Sequence, residues 1–175
     1  MSNLDEPTER FELLEDLGTI TVPDDYVHKK RLDLFGRENY EEFRDYNKNI
    51  TDANFPKPSR VLKARDKLRI LAFRQIVPGT TTSDERMAFL VAQKAVHTGA
   101  QGVSLVLEQR RERLPKGYWC ASFDKKSALW EDANGDHWVP GVGVYSAGGF
   151  GFGLGHFECL WSFRGHAFLC FCDTK

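Results

Sequence analysis

Several features that would narrow the function of a protein early are missing from this 175-residue sequence. No apolar run approaches the ~20 residues of a membrane-spanning helix, and the start Met1-Ser2-Asn3-Leu4-Asp5-Glu6 has no signal-peptide pattern. Positive charge is not in excess either: 24 Lys and Arg face 25 Asp and Glu, which argues against nucleic-acid and anionic-membrane partners. We expect a soluble protein, cytoplasmic unless a partner displays it elsewhere.

Cysteine is scarce and confined to one part of the chain. All four cysteines follow residue 119, and no Cys-x-x-Cys pair occurs. Cys170 and Cys172 lie two residues apart on one face of an extended segment, which is a poor geometry for a disulfide bond. The spacings fit neither a disulfide framework nor a closed zinc site. We expect free thiols and no metal or cofactor.

Common catalytic motifs are absent as well. The run Gly151-Phe152-Gly153-Leu154-Gly155 lacks the Gly-x-Gly-x-x-Gly spacing and a following helix, so no helix N-terminus is available for a phosphate. No Gly-x-Ser-x-Gly elbow is present for a serine nucleophile. The sequence therefore gives no indication of an enzyme.

One segment imitates the start of a calcium-binding loop. Asp132, Asn134 and Asp136 have EF-hand spacing, but the sixth and twelfth positions are His137 and Gly143 instead of glycine and glutamate. The pattern favours a hairpin turn, and a weak calcium site on that turn stays an open alternative.

Charge nearly disappears near the C-terminus. Between Pro140 and Cys172 only Glu158 and Arg164 are charged, although 28% of the whole chain is. Eight of the fifteen glycines lie between residues 141 and 165, and the window contains no Lys, Gln, Met, Asn, Thr or Ile. The segment is a compositional unit of its own.

Within that unit Phe150, Phe152 and Leu154 alternate with glycine. Alternate residues of a strand share a face, so these three predict a fixed apolar face with glycines opposite. Glycine gives a strand nothing to pack, and two interpretations remain open. Either another part of the chain approaches the strand closely, or its outer face carries residues that are not selected for stability.

Helices are expected in the first two thirds of the chain. Short helices are predicted at Phe11–Leu17 and Glu38–Asn47 from apolar spacing. The capping box Thr82-Ser83-Asp84-Glu85 predicts a helix that ends near His97 and buries its apolar side.

Strands are expected on either side of that helix. The continuous apolar run within Arg60–Ile76 predicts a strand buried on both faces. After Gly117 the pattern is β, with a type I′ hairpin predicted at Asn134-Gly135 and a last strand at Phe168–Cys172. The fold class is α+β, with early helices and a C-terminal antiparallel β region. Residues 1–59 are expected to be an N-terminal extension packing on a body formed by residues 60–175.

The organisation of the C-terminal segment resembles the variable proteins of diversity-generating retroelements, particularly those of archaea and candidate phyla. In that family a C-type-lectin fold carries a C-terminal region rewritten by adenine-directed mutagenesis of asparagine codons. Such codons cannot become Lys, Gln, Met, Glu or Trp. Between Gly141 and Ala167 only Glu158 and Trp161 belong to that excluded set, and the resemblance makes both of them constant scaffold.

The resemblance implies a C-type-lectin-like domain and a non-enzymatic binding scaffold whose variable region spans residues 140–168. The fixed core would comprise Phe150, Phe152, Leu154, Phe157, Trp161, Leu169 and Phe171. The variable positions, expected to face solvent or line a shallow concavity, would be Gly141, Gly143, Tyr145, Gly149, Gly151, Gly153, His156, Cys159, Leu160, Ser162, Phe163, Arg164, Gly165 and His166. The ligand would be a macromolecule, most simply a protein, bound by a monomer.

Two alternatives from other classes stay open. One is a small metal-dependent or thiol enzyme that uses Cys159, His156 and His166. The other is a structural assembly module in which the glycine-aromatic strand pairs with another chain.

Overall fold

The computed structural model describes residues 10–174. Most of the regular structure is one mixed eight-stranded sheet with three α-helices, so the class is α+β. The strands are β1 (Phe11–Thr21), β2 (Asp45–Tyr46), β3 (Lys67–Gln75), β4 (Thr80–Thr81), β5 (Trp119–Ala121), β6 (Trp130–Glu131), β7 (His137–Val144), β8 (Phe150–His156), β9 (Trp161–Ser162) and β10 (His166–Asp173). The helices are α1 (Arg31–Asn39), α2 (Ser83–Ala92) and α3 (Gly99–Gln109).

The sheet runs in the order β1-β3-β10-β5-β7-β8-β2, with β6 paired to β7. The pairs β1–β3, β3–β10, β5–β7, β6–β7 and β7–β8 are antiparallel, whereas β5–β10 and β2–β8 are parallel. The short strands β4 and β9 form a separate two-stranded ladder. The predicted C-terminal antiparallel region therefore exists, inside a sheet that is mixed.

Both faces of the sheet are covered. Leu169 and Phe171 of β10 belong to a core cluster that includes residues of α1 and α3. Phe168 and Cys170 belong to a second cluster that includes Phe89 of α2. Because alternate residues of a strand face opposite ways, a strand covered on both sides is apolar on both faces, as residues 167–172 of β10 are. The residues predicted to form the fixed core are buried or packed against these two clusters.

The helix predicted from the capping box is present but shorter than expected. Thr82 accepts a hydrogen bond from the Glu85 backbone, and the Glu85 side chain accepts one from the Thr82 backbone. The helix ends at Ala92 because Lys94 adopts a left-handed conformation (φ 57°). Its N–H bonds to the Val91 carbonyl, and the next N–H bonds to the Leu90 carbonyl, which is a Schellman end.

Two predicted helices are wrong. Residues 11–17 belong to the long strand β1, and helix α1 ends at Asn39, where Glu38–Asn47 was expected to be helical. The segment after α1 turns through a short 3-10 helix and forms β2, which pairs with β8.

The first fifty described residues are part of the same sheet as the rest. Strand β1 pairs with β3 from Phe11 to Thr21, and Leu32, Phe35 and Ile50 lie in the core cluster with β3 and β10. The predicted boundary at residue 60 therefore coincides with no break in the sheet or in the core. Residues 1–9 of the expected extension lie outside the described residues.

The predicted hairpin joins β6 and β7, with a different turn. Glu131 pairs with His137, and the Asp132 N–H bonds to the Asp136 carbonyl, which leaves a three-residue loop, 133–135, in place of a two-residue type I′ turn. Trp130 consequently faces Trp138.

None of the helices within residues 10–174 is long and apolar enough to span a bilayer.

Candidate functional site

The predicted variable positions lie along β7, β8, β9 and the start of β10. The glycines of β7 and β8 stand side by side, since Gly141 pairs with Gly153 and Gly143 with Gly151. Together they form one glycine face of the sheet. On the opposite face Phe152 is fully buried against Phe35, Phe43 and Tyr46. The two faces expected from the alternation in β8 are confirmed.

A pair of tryptophans covers the glycine face. Trp119 of β5 stacks on Trp161 of β9 with ring centroids 5.6 Å apart and planes 8° apart. The edge of Phe123 meets Trp161, and the Trp161 indole N–H donates to Ser83 Oγ over 2.7 Å. Ser83 Oγ in turn donates to the Phe157 carbonyl over 2.6 Å. The tryptophan pair therefore ties α2 to the end of β8.

Two adjoining surface cavities open over this pair. The first, of about 250 Å³, is lined by Trp119, Leu154, Gly155, His156, Cys159, Leu160, Trp161 and His166. The second, of about 360 Å³, is lined by Asp45, Tyr46, Asn47, Trp119, Gly143, Tyr145, Gly151, Phe152, Gly153 and Leu154. Trp119 and Leu154 line both, so the two cavities form one concave face.

A third cavity, of about 490 Å³, is lined by three more of the predicted variable positions. Phe163, Arg164 and Gly165 line it beside Arg74 and Tyr118. Of the fourteen predicted positions, eleven line one of these three cavities, and Gly141, Gly149 and Ser162 line none of the three.

The prediction that Gly141 is a solvent-facing variable position is wrong. A Cβ on this residue would lie 2.5 and 2.7 Å from two atoms of the Trp119 ring and 2.8 Å from the Cys120 carbonyl oxygen. The residue is buried and has no room for a side chain. For Gly141, the interpretation of the glycines as closely approached residues is the right one.

The other predicted glycines differ in what they allow. A Cβ on Gly153 would meet one atom within 4 Å, the Trp119 indole nitrogen at 3.7 Å. A Cβ on Gly151 would lie 3.2 Å from the Tyr145 hydroxyl, so a larger residue there displaces Tyr145. Gly149 and Gly165 have φ angles of 91° and 73°, which side chains rarely adopt.

The rim of the second cavity is fixed by charged neighbours of Tyr145. The Tyr145 hydroxyl donates to the Asp45 carboxylate, and the Arg44 guanidinium lies 4.5 Å from the centre of the Tyr145 ring. The hydrogen bond to Asp45 raises the pKa of Tyr145. The position of Tyr145 is thus set by Arg44 and by Asp45, the first residue of β2.

The backbone of the predicted variable segment is held from outside it. Arg86 of α2 has no solvent exposure and donates to the carbonyl oxygens of Ser162 and His166, each over 3.4 Å. It also donates to Thr81 Oγ1 and Gln75 Oε1. Burial lowers the pKa of Arg86 to about 10, so the group stays charged at neutral pH. Its hydrogen bonds to this segment are accepted by backbone carbonyls, so they do not require particular side chains at residues 162 and 166.

His166 lies where this anchor meets the first cavity. Its Nδ1 accepts from the Ser162 backbone N–H over 3.1 Å, and its ring meets the edges of Trp119 and Trp161. Burial, and then the charge of Arg86, lower the pKa of His166. The imidazole is therefore neutral at pH 7.

The residues of the enzyme alternative line one cavity, but they do not form a reactive set. His156, Cys159 and His166 all border the first cavity. Among the described residues, however, no hydrogen bond joins the Cys159 thiol to either imidazole, and no metal-ligand cluster contains Cys159 or His166. The described residues therefore give the Cys159 thiol no hydrogen-bonded base, which is one of the ways in which a nucleophilic thiol is activated.

In the turn that the sequence left open as a weak calcium site, the Asp132 carboxylate accepts hydrogen bonds from the turn itself and from Trp138. Asp132 Oδ1 accepts from the backbone N–H groups of Asn134 and Asp136, and Oδ2 accepts from the Trp138 indole over 2.9 Å. The Trp138 hydrogen bond is the main reason that the pKa of Asp132 is lowered. These contacts account for the Asp-x-Asn-x-Asp pattern as a turn that is capped by its first residue.

Sequence reasoning missed Arg44, Asp45, Trp119 and Arg86 as parts of this site. Arg86 is three residues from both Ser83 and Phe89, and all three are buried. This helical spacing places Arg86 on the inner side of α2, and only its charge argued against that position. Trp119 comes from a strand distant in sequence, and no local pattern placed it over the glycines.

Comparison of the chain with protein-family models, with curated proteins and with solved structures finds no match.

Proposed function

We propose that this protein is a binding scaffold whose C-terminal face varies between copies, as in the variable proteins of diversity-generating retroelements, and that its domain is C-type-lectin-like. The proposed ligand is a protein surface, recognised by the concave face over Trp119 and by the neighbouring loop of residues 157–165. All three α-helices precede the strands β5 to β10 in the chain, an order compatible with the fold that the resemblance implies.

The observation that carries the proposal is that the residues lining the surface cavities differ from those that pack the core. Five residues line surface cavities: Tyr145, Gly153, Cys159, Leu160 and Phe163. Strand β8 is packed through Phe152 on its other face. Changes at the surface positions leave that packing intact. A protein that diversifies one face needs this separation, because random side chains cannot also be relied on to form the core.

Anchoring through the backbone supports the same conclusion. Arg86 and Ser83, both outside the proposed variable region, hold the carbonyl groups of Phe157, Ser162 and His166. Such contacts survive almost any side-chain replacement at those positions. Exposed Leu160 and half-buried Tyr145 and Phe163 supply apolar and aromatic surface of the kind that anchors protein interfaces.

The assembly alternative is less well supported. Strand β8 is not a free edge over its first half, because β2 pairs with Gly151 and Phe152 and the Arg44 N–H bonds to the Phe150 carbonyl. An added strand would have to displace these contacts.

A display library tests the binding function. The full chain would be displayed with Tyr145, Gly153, Cys159, Leu160 and Phe163 randomised together, and sorted for protease resistance and then for binding to a panel of proteins. A matched library would randomise five exposed residues of the opposite region: Leu34, Arg37, Glu38, Glu41 and Lys48. We expect most members of the first library to stay folded, and binders to come from the first library more often than from the second.

The retroelement origin is tested separately, by sequencing the gene and the DNA beside it. We expect a near-copy of the segment that encodes residues 140–168, differing mainly at adenines, and a reverse transcriptase gene nearby. If the first library is largely unfolded, or yields no more binders than the second, the binding proposal is wrong. If the DNA contains no such repeat, the proposed diversification mechanism is wrong, and the proposed binding face is unaffected.

A further inference from the structure

A group of metal-ligand side chains lies beside the first cavity and was not picked out from the sequence. One oxygen or nitrogen from each of Asp136, His156 and Glu158 lies within 4.8 Å of the others. It is the only such group of three or more His, Cys, Asp or Glu side chains among residues 10–174. Asp136 comes from the β6–β7 turn, His156 ends β8, and Glu158 follows in the next turn.

Two of these side chains are held in place by neighbours. His137 contacts Glu158 through its ring Nδ1, 2.5 Å from Oε1, and its backbone N–H donates to the same carboxylate at 3.1 Å. The His156 ring packs on Trp138 with ring centroids 3.9 Å apart. Ligands of bound metals are commonly oriented by such secondary contacts.

The local charge is negative. Glu131 and Asp132 lie on the same hairpin as Asp136, and Glu131 Oε2 is 3.8 Å from His137 Nε2. Lys126 is the nearby cation, 3.6 Å from Glu158. Four carboxylates with one lysine favour a bound cation over a bound anion.

The ligand types indicate which cation fits. Calcium and magnesium are bound mainly by oxygen ligands, whereas an imidazole beside carboxylates suits zinc and neighbouring transition metals. Zinc bonds of about 2.0–2.2 Å place ligand atoms roughly 3–3.5 Å apart. The three ligand atoms, which lie within 4.8 Å of one another, would have to close by up to about 1.5 Å through small rotations of their side chains.

We propose that Asp136, His156 and Glu158 form a binding site for a divalent transition-metal ion, with zinc as its best-fitting occupant. Three protein ligands leave a zinc ion an open coordination position. Because His156 also lines the first cavity, that open position would lie at the edge of the concave face. The site does not depend on the proposed function, since it is defined by its own residues.

Calorimetric titration of the chelator-treated full-length protein with Zn²⁺ tests the site, with Ca²⁺ as a comparison. We expect one Zn²⁺ per chain and no Ca²⁺ binding under the same conditions. His156→Gln and Asp136→Asn should each weaken zinc binding about tenfold or more, as loss of a ligand or its support does. His97→Gln serves as the matched histidine control, and Cys159→Ser excludes an exposed thiol as ligand; both should bind as the unchanged protein does.

Cobalt substitution gives a second readout that does not rely on variants folding. Co²⁺ bound by the proposed ligands should show visible d–d bands without a thiolate-to-cobalt charge-transfer band. The proposal is overturned if the unchanged protein binds no Zn²⁺, if Cys159→Ser abolishes binding, or if a thiolate band appears. It is also overturned if the His156 and Asp136 variants fold and bind zinc as tightly as His97→Gln does.

Discussion

Gly141 and Gly153 are paired neighbours on adjacent strands, yet they lie at different distances from the Trp119 ring. A Cβ on Gly141 would lie 2.5 and 2.7 Å from two ring atoms, whereas a Cβ on Gly153 would lie 3.7 Å from the indole nitrogen. A side chain at Gly141 must push apart the tryptophan pair, whereas one at Gly153 projects into the second cavity.

We predict opposite outcomes for substitutions at these two positions. Gly141→Ala should destabilise the fold by about 2–3 kcal/mol, as overpacking of a filled site does. Gly153→Ser should change the free energy of unfolding by no more than about 1 kcal/mol, as at ordinary surface positions. Urea unfolding of the two variants side by side, followed by tryptophan fluorescence, measures the difference. Equal losses would mean that Gly153 is also a packing requirement.

His166 should make stability depend on pH. Its pKa in the folded protein is lowered from the usual value near 6.5, so the unfolded chain takes up the proton first as pH falls. The contribution of a neutral His166 is therefore complete above about pH 6.5 and is lost progressively below that pH. Protonation also removes the Nδ1 acceptor for the Ser162 N–H.

The free energy of unfolding, measured between pH 5 and 8 for the unchanged protein and for His166→Gln, isolates this residue from the other histidines. We expect the advantage of the unchanged protein over the variant to shrink as the pH falls. A difference that stays constant over this range would show that His166 titrates alike in the folded and unfolded states.

At the scale of elements, β9 and the loop after it depend on helix α2. Arg86 contacts the carbonyls of Ser162 and His166 and also lies 5.2 Å from the centre of the Phe168 ring. A methionine fills similar volume but donates no hydrogen bonds, so the two partly buried carbonyls would lose this donor.

Arg86→Met should therefore cost about 2–3 kcal/mol, the range for stranding buried polar groups. Arg10→Met is the matched control, because Arg10 pairs with Glu85 on the same helix but lies about 38% exposed, where a pair contributes about 1 kcal/mol at most. Thermal unfolding and proteolysis of the loop of residues 157–165 report the effect. A loss of stability no greater than that of Arg10→Met would show that Arg86 does not anchor this segment.

The elements that sequence predicted well are those fixed by local chemistry. The capping box of α2, the presence of a hairpin at Asn134-Gly135 (although not its turn type) and the alternation in β8 each involve residues within a few positions of one another. Strand β1 was mistaken for a helix because two register shifts, between Leu13 and Glu15 and between Asp16 and Gly18, break its alternation. Its buried residues Phe11, Leu17 and Ile20 are then spaced at multiples of three, which imitates a helical face.

The candidate site was predictable only in part, for a similar reason. The segment that lines it was identified from its own composition. Its cover and its anchor come from Trp119 and Arg86, and the Arg86 contacts span 76 and 80 residues of sequence. Pairings at such separations are set by the sheet order, which local patterns do not encode.

At the scale of the whole molecule, the N-terminal third is needed by the core. We predict that deleting residues 1–50 gives a protein that is insoluble or unfolds without cooperativity, because β3 loses its partner β1 and the core loses Leu32, Phe35 and Ile50. Circular dichroism during urea unfolding of the 51–175 fragment measures this. A fragment with a sharp transition close to that of the full chain would restore the boundary at residue 60.

The position of β10 has a consequence for synthesis on the ribosome. This strand is the last one made among those described, yet it lies between β3 and β5. About 90 residues separate the end of β3 from the start of β10, and at 5–20 residues per second they take roughly 5–18 s to translate. Throughout that interval one edge of β3 has no partner in the nascent chain, which makes this protein a natural client for chaperones that shield apolar strands as they emerge.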